Sequence, residues 1–88
     1  MRPPPERLPL SVRVGLRIAE LREHHGLTQH QLAEKIGVGL RYLQRVEAGQ
    51  ENLGLESLQD FADLLEVDPV ELLHKPKRTP RKRGRPVK

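Results

Sequence analysis

The sequence predicts an all-α fold, with five short helices in one compact domain between two disordered ends. Three observations carry this. Apolar residues from Val14 to Leu65 recur at helical spacing rather than in strand-like alternation. Glycines 26, 37 and 49, with capping residues such as Thr28 and Asp68, divide that pattern into short segments. Apolar residues make up 35% of the chain and aromatics only 2%, which suits a small core of Leu, Ile, Val and Ala.

The elements follow in chain order. Residues 1–10 hold Pro3, Pro4, Pro5 and Pro9, which remove backbone donors and favour an extended arm. Ser11 is the expected cap of the first helix, with Val14, Ile18 and Leu21 inward, Arg13, Arg17, Glu20 and Glu23 outward, and Gly26 at its end. Thr28 and Gln31 have capping-box spacing at the start of the second helix. Its inward face is Leu32, Ala33 and Ile36, and Gly37 stands where a left-handed residue ends a helix. Only Val38 and Gly39 precede a third helix with Leu43 and Val46 inward, closing at Gly49. Two short helices joined through a glycine turn make a helix-turn-helix, with the small Ala33 at the crossing. A fourth helix buries Leu58, Phe61, Ala62 and Leu65. The segment VDPVELL starts a fifth, with Asp68 as cap, Pro69 at the first position, Glu71 completing a capping box and Val67 stapled onto Leu72. The folded domain is expected over 11–74, and the tail 75–88 has nothing to bury.

Charge divides the chain more sharply than hydropathy. Eight of the sixteen Lys and Arg lie in 75–88, which has no acidic residue. The other eight share residues 1–74 with all twelve acidic ones, so a body of −4 carries a tail of +8. Such a tail suggests a polyanionic partner, and nucleic acid is the commonest. Without cysteine there are neither disulfides nor thiolate metal sites. No apolar run approaches the roughly 20 residues of a membrane span, and the N-terminus does not read as a secretory signal. A cytoplasmic, nucleoid-associated protein is therefore expected.

The residues Thr28-Gln29, Leu32-Ala33, Gly37-Val38, Leu43, Val46-Glu47 and Gly49, followed by LGLESLQDFADLLEVDPVELL, resemble the phage repressor and Cro-type (XRE-like) helix-turn-helix family across residues 13–74. The resemblance implies a lambda-repressor-like five-helix domain that regulates transcription, binding double-stranded DNA as a homodimer on a two-fold operator. It puts the helix beginning at Leu40 in the major groove, with Arg41, Gln44 and Arg45 reading bases and Leu40 touching a thymine methyl. An Arg bidentate on guanine is worth about 1–3 kcal/mol of discrimination. Backbone contacts fall to Thr28, Gln29, Gly39, Tyr42 and Asn52, and a buried ion pair is implied between Arg22 and Glu47.

Three departures stand out. Gly39 replaces the usual Ser or Thr, Leu40 replaces a polar residue, and the loop after Gly49 reads Gln50-Glu51-Asn52 instead of carrying basic residues. An acidic body binds phosphate weakly by itself, so the tail is expected to supply that affinity. Within it Lys82, Arg83, Gly84, Arg85 and Pro86 resemble an AT-hook, whose Arg-Gly-Arg core lies in the narrow minor groove of A·T-rich DNA. The alternative for the tail is a non-specific basic anchor.

No enzyme is expected. Ser11 and Ser57 are explained by helix starts, Asp60 and Asp63 by an exposed acidic face, and His24, His25, His30 and His74 read as surface residues, so neither a metal nor a cofactor is called for. A second reading makes the acidic, Leu-containing stretch Leu53–Leu73 a docking surface for a protein partner, as in an antitoxin or co-regulator. Leu53, Leu55, Leu72 and Leu73 are candidates for a homodimer interface on the same stretch.

Overall fold

The computed structural model of the protein describes residues 8–77. Residues 1–7, most of the expected arm, and residues 78–88, with the AT-hook-like Lys82–Pro86, lie outside the described residues. Four α-helices form: α1 (Leu10–His24), α2 (Gln29–Ile36), α3 (Leu40–Glu47) and α4 (Leu55–Leu65), followed by a 3-10 turn, Pro69–Leu73. The expected fifth helix is thus a single short turn.

The start of α1 also differs from expectation. Ser11 is not its cap. Leu8 is buried, which draws the chain into the body ahead of Ser11 and starts the helix at Leu10. Pro9, with φ −53°, precedes the first turn, and its carbonyl accepts from the amides of Val12 and Arg13, both at 3.0 Å. The Ser11 hydroxyl donates instead to the Gly49 carbonyl at 3.3 Å, tying α1 to the end of α3.

All four helices end in the same way. The last carbonyls are satisfied by a paired bond from a left-handed residue and its successor, the Schellman arrangement. After α1, Gly26 (φ 73°) is followed by a Leu27 amide bonding Arg22 O at 3.1 Å. After α2, Gly37 is followed by Val38 bonding Ala33 O at 3.0 Å, and after α3, Gly49 by Gln50 bonding Arg45 O at 2.9 Å. At α4 the left-handed residue is Glu66 (φ 62°), with Val67 bonding Ala62 O at 3.0 Å. A side chain with a Cβ in that conformation costs about 1–2 kcal/mol. The burial of Phe61, Ala62 and Leu65 in the core holds α4 in the position that requires it.

Ile18, Leu32, Leu43, Val46, Phe61, Leu65 and Leu72 form the centre of the core, one or two from each element. Burial of side chains of this size stabilises by about 1.5–3 kcal/mol apiece. The closest helix approach is at Gly15, buried where α1 crosses α3: a Cβ there would collide with Val46 O and stand 2.9 Å from Glu47 O. Sequence reading assigned the small-residue role to Ala33, which is buried as expected, but gave none to Gly15.

The 3-10 turn is held by α1 as much as by its own sequence. Asp68 Oδ1 accepts from the Val70 amide at 2.9 Å, so the cap forms. Glu71 does not complete a capping box. Its carboxylate lies 3.3 Å from Arg17 Nη2, while Arg17 Nε donates to the Glu71 carbonyl at 3.0 Å and Arg13 Nη2 to the Leu73 carbonyl at 3.0 Å. Two arginines expected to face solvent therefore take the carbonyls on which a longer α-helix would have been built. The folded body also continues past His74: Pro76 is buried, and the Lys77 amide donates to Glu20 Oε2 at 2.7 Å. The root of the basic tail is docked on α1.

Gly15→Ala is expected to destabilise the fold by roughly 1–3 kcal/mol through overpacking, read as a lower urea midpoint with an unchanged m-value.

Candidate nucleic-acid interface

The helix-turn-helix rests on local bonds that its sequence specifies. Thr28 Oγ1 accepts from the Gln31 amide at 3.0 Å and Gln31 Oε1 accepts from the Thr28 amide at 2.9 Å, so both halves of the capping box are present. Gly37 turns the chain at φ 88°, and Leu32 and Ala33 are buried against the core. Gly39 begins α3 with no side-chain cap. That leaves the first amides of α3 with no side chain over them.

Leu43 and Val46 anchor the inner face of α3, and that rotation leaves Leu40, Arg41, Gln44 and Arg45 exposed together on the outer face. Arg41 makes no ion pair among the described residues. Arg45 does: its Nε lies 2.7 Å from Glu51 Oε2 in the loop that follows. Tyr42 is half-buried and packs against the core beside Ile36, Val38 and Phe61, so its ring is a packing element. Asn52 is exposed in the same loop as Glu51.

One network fixes this face to the rest of the molecule. Arg22 binds Glu47 through both carboxylate oxygens, Nε to Oε2 at 2.7 Å and Nη2 to Oε1 at 3.1 Å. Its remaining nitrogen, Nη1, donates to the Leu27 carbonyl at 2.8 Å. The Glu47 side chain is only 6% exposed and that of Arg22 11%. Gln29 joins them, donating from Nε2 to Glu47 Oε1 at 2.9 Å. Gln29, expected as a phosphate contact, also joins the beginning of α2 to the end of α3. Three helices therefore meet at one carboxylate, α1, α2 and α3, and Arg22 ties in the α1–α2 loop through Leu27 O.

Other expected roles resolve differently. His25 is not a purely solvated side chain, since its Nε2 lies 2.8 Å from the Leu65 carbonyl at the end of α4. Among the described residues no cluster of three or more His, Cys, Asp or Glu is placed to hold a metal, and no helix is long and apolar enough to cross a membrane. Leu72 is fully buried and belongs to the core, so it is no interface residue. Leu55, 84% exposed, and Leu10, 55% exposed, flank an apolar depression of about 230 Å³ lined also by Leu53, Leu58 and Leu73. Leu10 had been assigned to the arm. The Arg45–Glu51 contact was missed as well, because nothing in the spacing shows that the loop doubles back along α3.

Comparison with known proteins gives a consistent family. A helix-turn-helix family model, HTH_3, matches residues 18–72. An uncharacterized HTH-type transcriptional regulator of Sinorhizobium fredii, y4dJ, is 36% identical over 67 residues, covering 76% of this chain and 87% of that protein. Against other rhizobial HTH-type regulators the chain spans 42% or less of their length. The restriction-modification controller protein C.AhdI from Aeromonas hydrophila is 39% identical with a TM-score of 0.67, over 70% of this chain and 94% of its own. The controller C.Esp1396I, solved as a tetramer with its natural 35-base-pair operator, is 32% identical with a TM-score of 0.64, over 72% of this chain and 83% of its own.

Because the Arg22–Glu47 pair is nearly sealed from water, Glu47→Ala is expected to cost roughly 3–5 kcal/mol by stranding the guanidinium. The double replacement Arg22→Met with Glu47→Leu is expected to cost less than either single change, in a double-mutant cycle followed by thermal unfolding.

Proposed function

Since the chain belongs to the HTH_3 helix-turn-helix family, we propose that it is a transcriptional regulator that binds double-stranded DNA sequence-specifically through the outer face of α3. The observation that carries this reading is the joint exposure of Leu40, Arg41, Gln44 and Arg45 on a helix held rigidly from behind by Glu47. Arg41 and Arg45 present guanidinium forks suited to guanine O6 and N7, and Gln44 lies between them. Leu40 supplies an apolar contact for a thymine methyl. Thr28, Gly39 and Asn52 border this face, and the uncapped amides at Gly39 are free to meet a phosphate.

The affinity comes from elsewhere in the chain. Between Arg45 and Lys75 there are eight acidic residues and no basic one, so the folded body repels the DNA backbone on much of its surface. The basic tail, whose root is tied to Glu20 on α1, supplies the counter-charge. Its Lys82-Arg83-Gly84-Arg85-Pro86 segment suits the narrow minor groove of A·T-rich DNA.

Two copies act together in this reading. The exposed Leu10, Leu55 and Leu73 around the apolar depression form the contact between them. Such a dimer places two α3 helices on half-sites about 34 Å, or roughly 10 base pairs, apart. The structure of C.Esp1396I on its operator is that protein's own precedent for assembly on DNA.

Removing residues 78–88 deletes six Lys or Arg. The log–log salt dependence of binding should flatten by about 5, at roughly 0.9 per phosphate neutralised, and A·T preference should disappear. Unchanged salt dependence would leave the tail no role in holding DNA. Leu55→Lys is expected to turn a dimer into a monomer in light scattering at tens of micromolar, with helical circular dichroism unchanged because the side chain is 84% exposed in its own chain, and with a thermal midpoint that no longer rises with protein concentration.

A further inference from the structure

The contact between Arg45 and Glu51 follows from the turn that ends α3. The Gln50 amide bonds the Arg45 carbonyl at 2.9 Å, and the Gly49 amide bonds Val46 O at 3.0 Å. This pair of hydrogen bonds reverses the chain at Gly49 (φ 78°), where a Cβ would stand 2.7 Å from a Val12 methyl. The reversal is therefore built into the packing of α3 on α1. It brings the carboxylate of Glu51 back along the last turn of α3 to Arg45 Nε at 2.7 Å. The bond is charge-assisted and short, and Glu51 is the more covered partner, its side chain 26% exposed against 45% for Arg45.

Which nitrogen is engaged matters. Arginine reads guanine with two parallel N–H groups, and the terminal pair, Nη1 and Nη2, points along the side-chain axis. Glu51 occupies Nε and, among the described residues, neither terminal nitrogen has a partner. Arg41, one turn earlier on the same face, has no such support. The two arginines of α3 are thus unequal: one is held by a carboxylate, the other is free to swing.

From this asymmetry, and resting on the DNA-binding reading above, we infer that Glu51 is a specificity-determining positioning residue that aims the Arg45 fork at one guanine and discourages its use as a general phosphate anchor. Two effects act together. Holding Nε removes rotamer freedom that the side chain would otherwise lose on binding. The fixed negative charge beside the fork raises the cost of bringing a phosphate to it, whereas a base edge carries only partial charge. Glu51 therefore lowers overall affinity and raises the ratio of specific to non-specific binding.

The test uses the full chain and a duplex selected from a randomised double-stranded library by the wild-type protein. Binding of wild type, Glu51→Ala and Glu51→Gln is then measured to that duplex, to versions with each guanine replaced by adenine, and to an unrelated duplex. For wild type, replacement of one guanine is expected to weaken binding by tenfold or more. In Glu51→Ala that penalty should fall to about threefold or less, while affinity for the unrelated duplex rises severalfold. Glu51→Gln keeps an acceptor for Nε without the charge, so it should retain most of the guanine penalty while also binding the unrelated duplex more tightly. A charge acting only on the phosphates would raise affinity for every duplex alike and leave the guanine penalties of Glu51→Ala at their wild-type size. If Glu51→Ala keeps the full penalty at every guanine, the inference is overturned while the DNA-binding reading stands. If the wild-type protein selects no sequence from the library, the DNA-binding reading falls, and Glu51 with it.

Discussion

The arrangement of the whole face depends on one carboxylate. Glu47 sits at the last turn of α3 and receives Arg22 from α1 through both oxygens and Gln29 from α2 through one. Arg22 in turn closes the α1–α2 loop by donating to Leu27 O. An uncompensated charge at that depth costs roughly 3–5 kcal/mol, so arrangements that separate the pair are disfavoured. Hydrophobic contacts such as Leu43 and Val46 hold α3 against the core but are non-directional. The ion pair adds a directional tie at the last turn of α3, locking the rotation that Leu43 and Val46 set. Gly15 makes this possible by letting α1 approach until Arg22 reaches its partner.

A second constraint is electrostatic and is distributed along the chain rather than packed. Acidic side chains dominate the described surface from Glu47 onward, and the positive charge is gathered beyond Lys75. In the function proposed above, this charge layout assigns base reading to the helix face and attraction to the phosphate backbone to the tail. Arg13 and Arg17 keep their charge but are held at the carbonyls of the 3-10 turn, while the Lys77 amide on Glu20 fixes where the chain leaves α1.

Much of the fold was legible because its punctuation is local. Gly26, Gly37 and Gly49 mark helix ends, and each does adopt the left-handed conformation that only glycine enters cheaply. Thr28 with Gln31 is a capping box in the sequence and in the structure. The misses share one cause, which is that the deciding partner is distant in the chain. Ser11 looked like a cap, but its hydroxyl found Gly49 O, and the helix began earlier because Leu8 is buried. Glu71 looked like half of a capping box, but its carboxylate pairs with Arg17. Glu66 carries no sign in its own identity of the left-handed turn imposed on it by α4.

For the candidate site the same boundary holds. The outward set Leu40, Arg41, Gln44 and Arg45 follows from helical period and from the inward pair Leu43 and Val46, so the sequence by itself determined which side chains α3 presents. It also determined the opposite charges of body and tail, since these need only counting. What only the tertiary structure decided is the state of those side chains. Arg45 meets Glu51 because the turn at Gly49 folds the loop back, and Gln29 meets Glu47 because α2 starts beside the end of α3. Periodicity acts over one or two turns of chain and can assign a face. A partner reached through a reversal or across a helix crossing is set by packing, and packing is a property of the assembled fold alone.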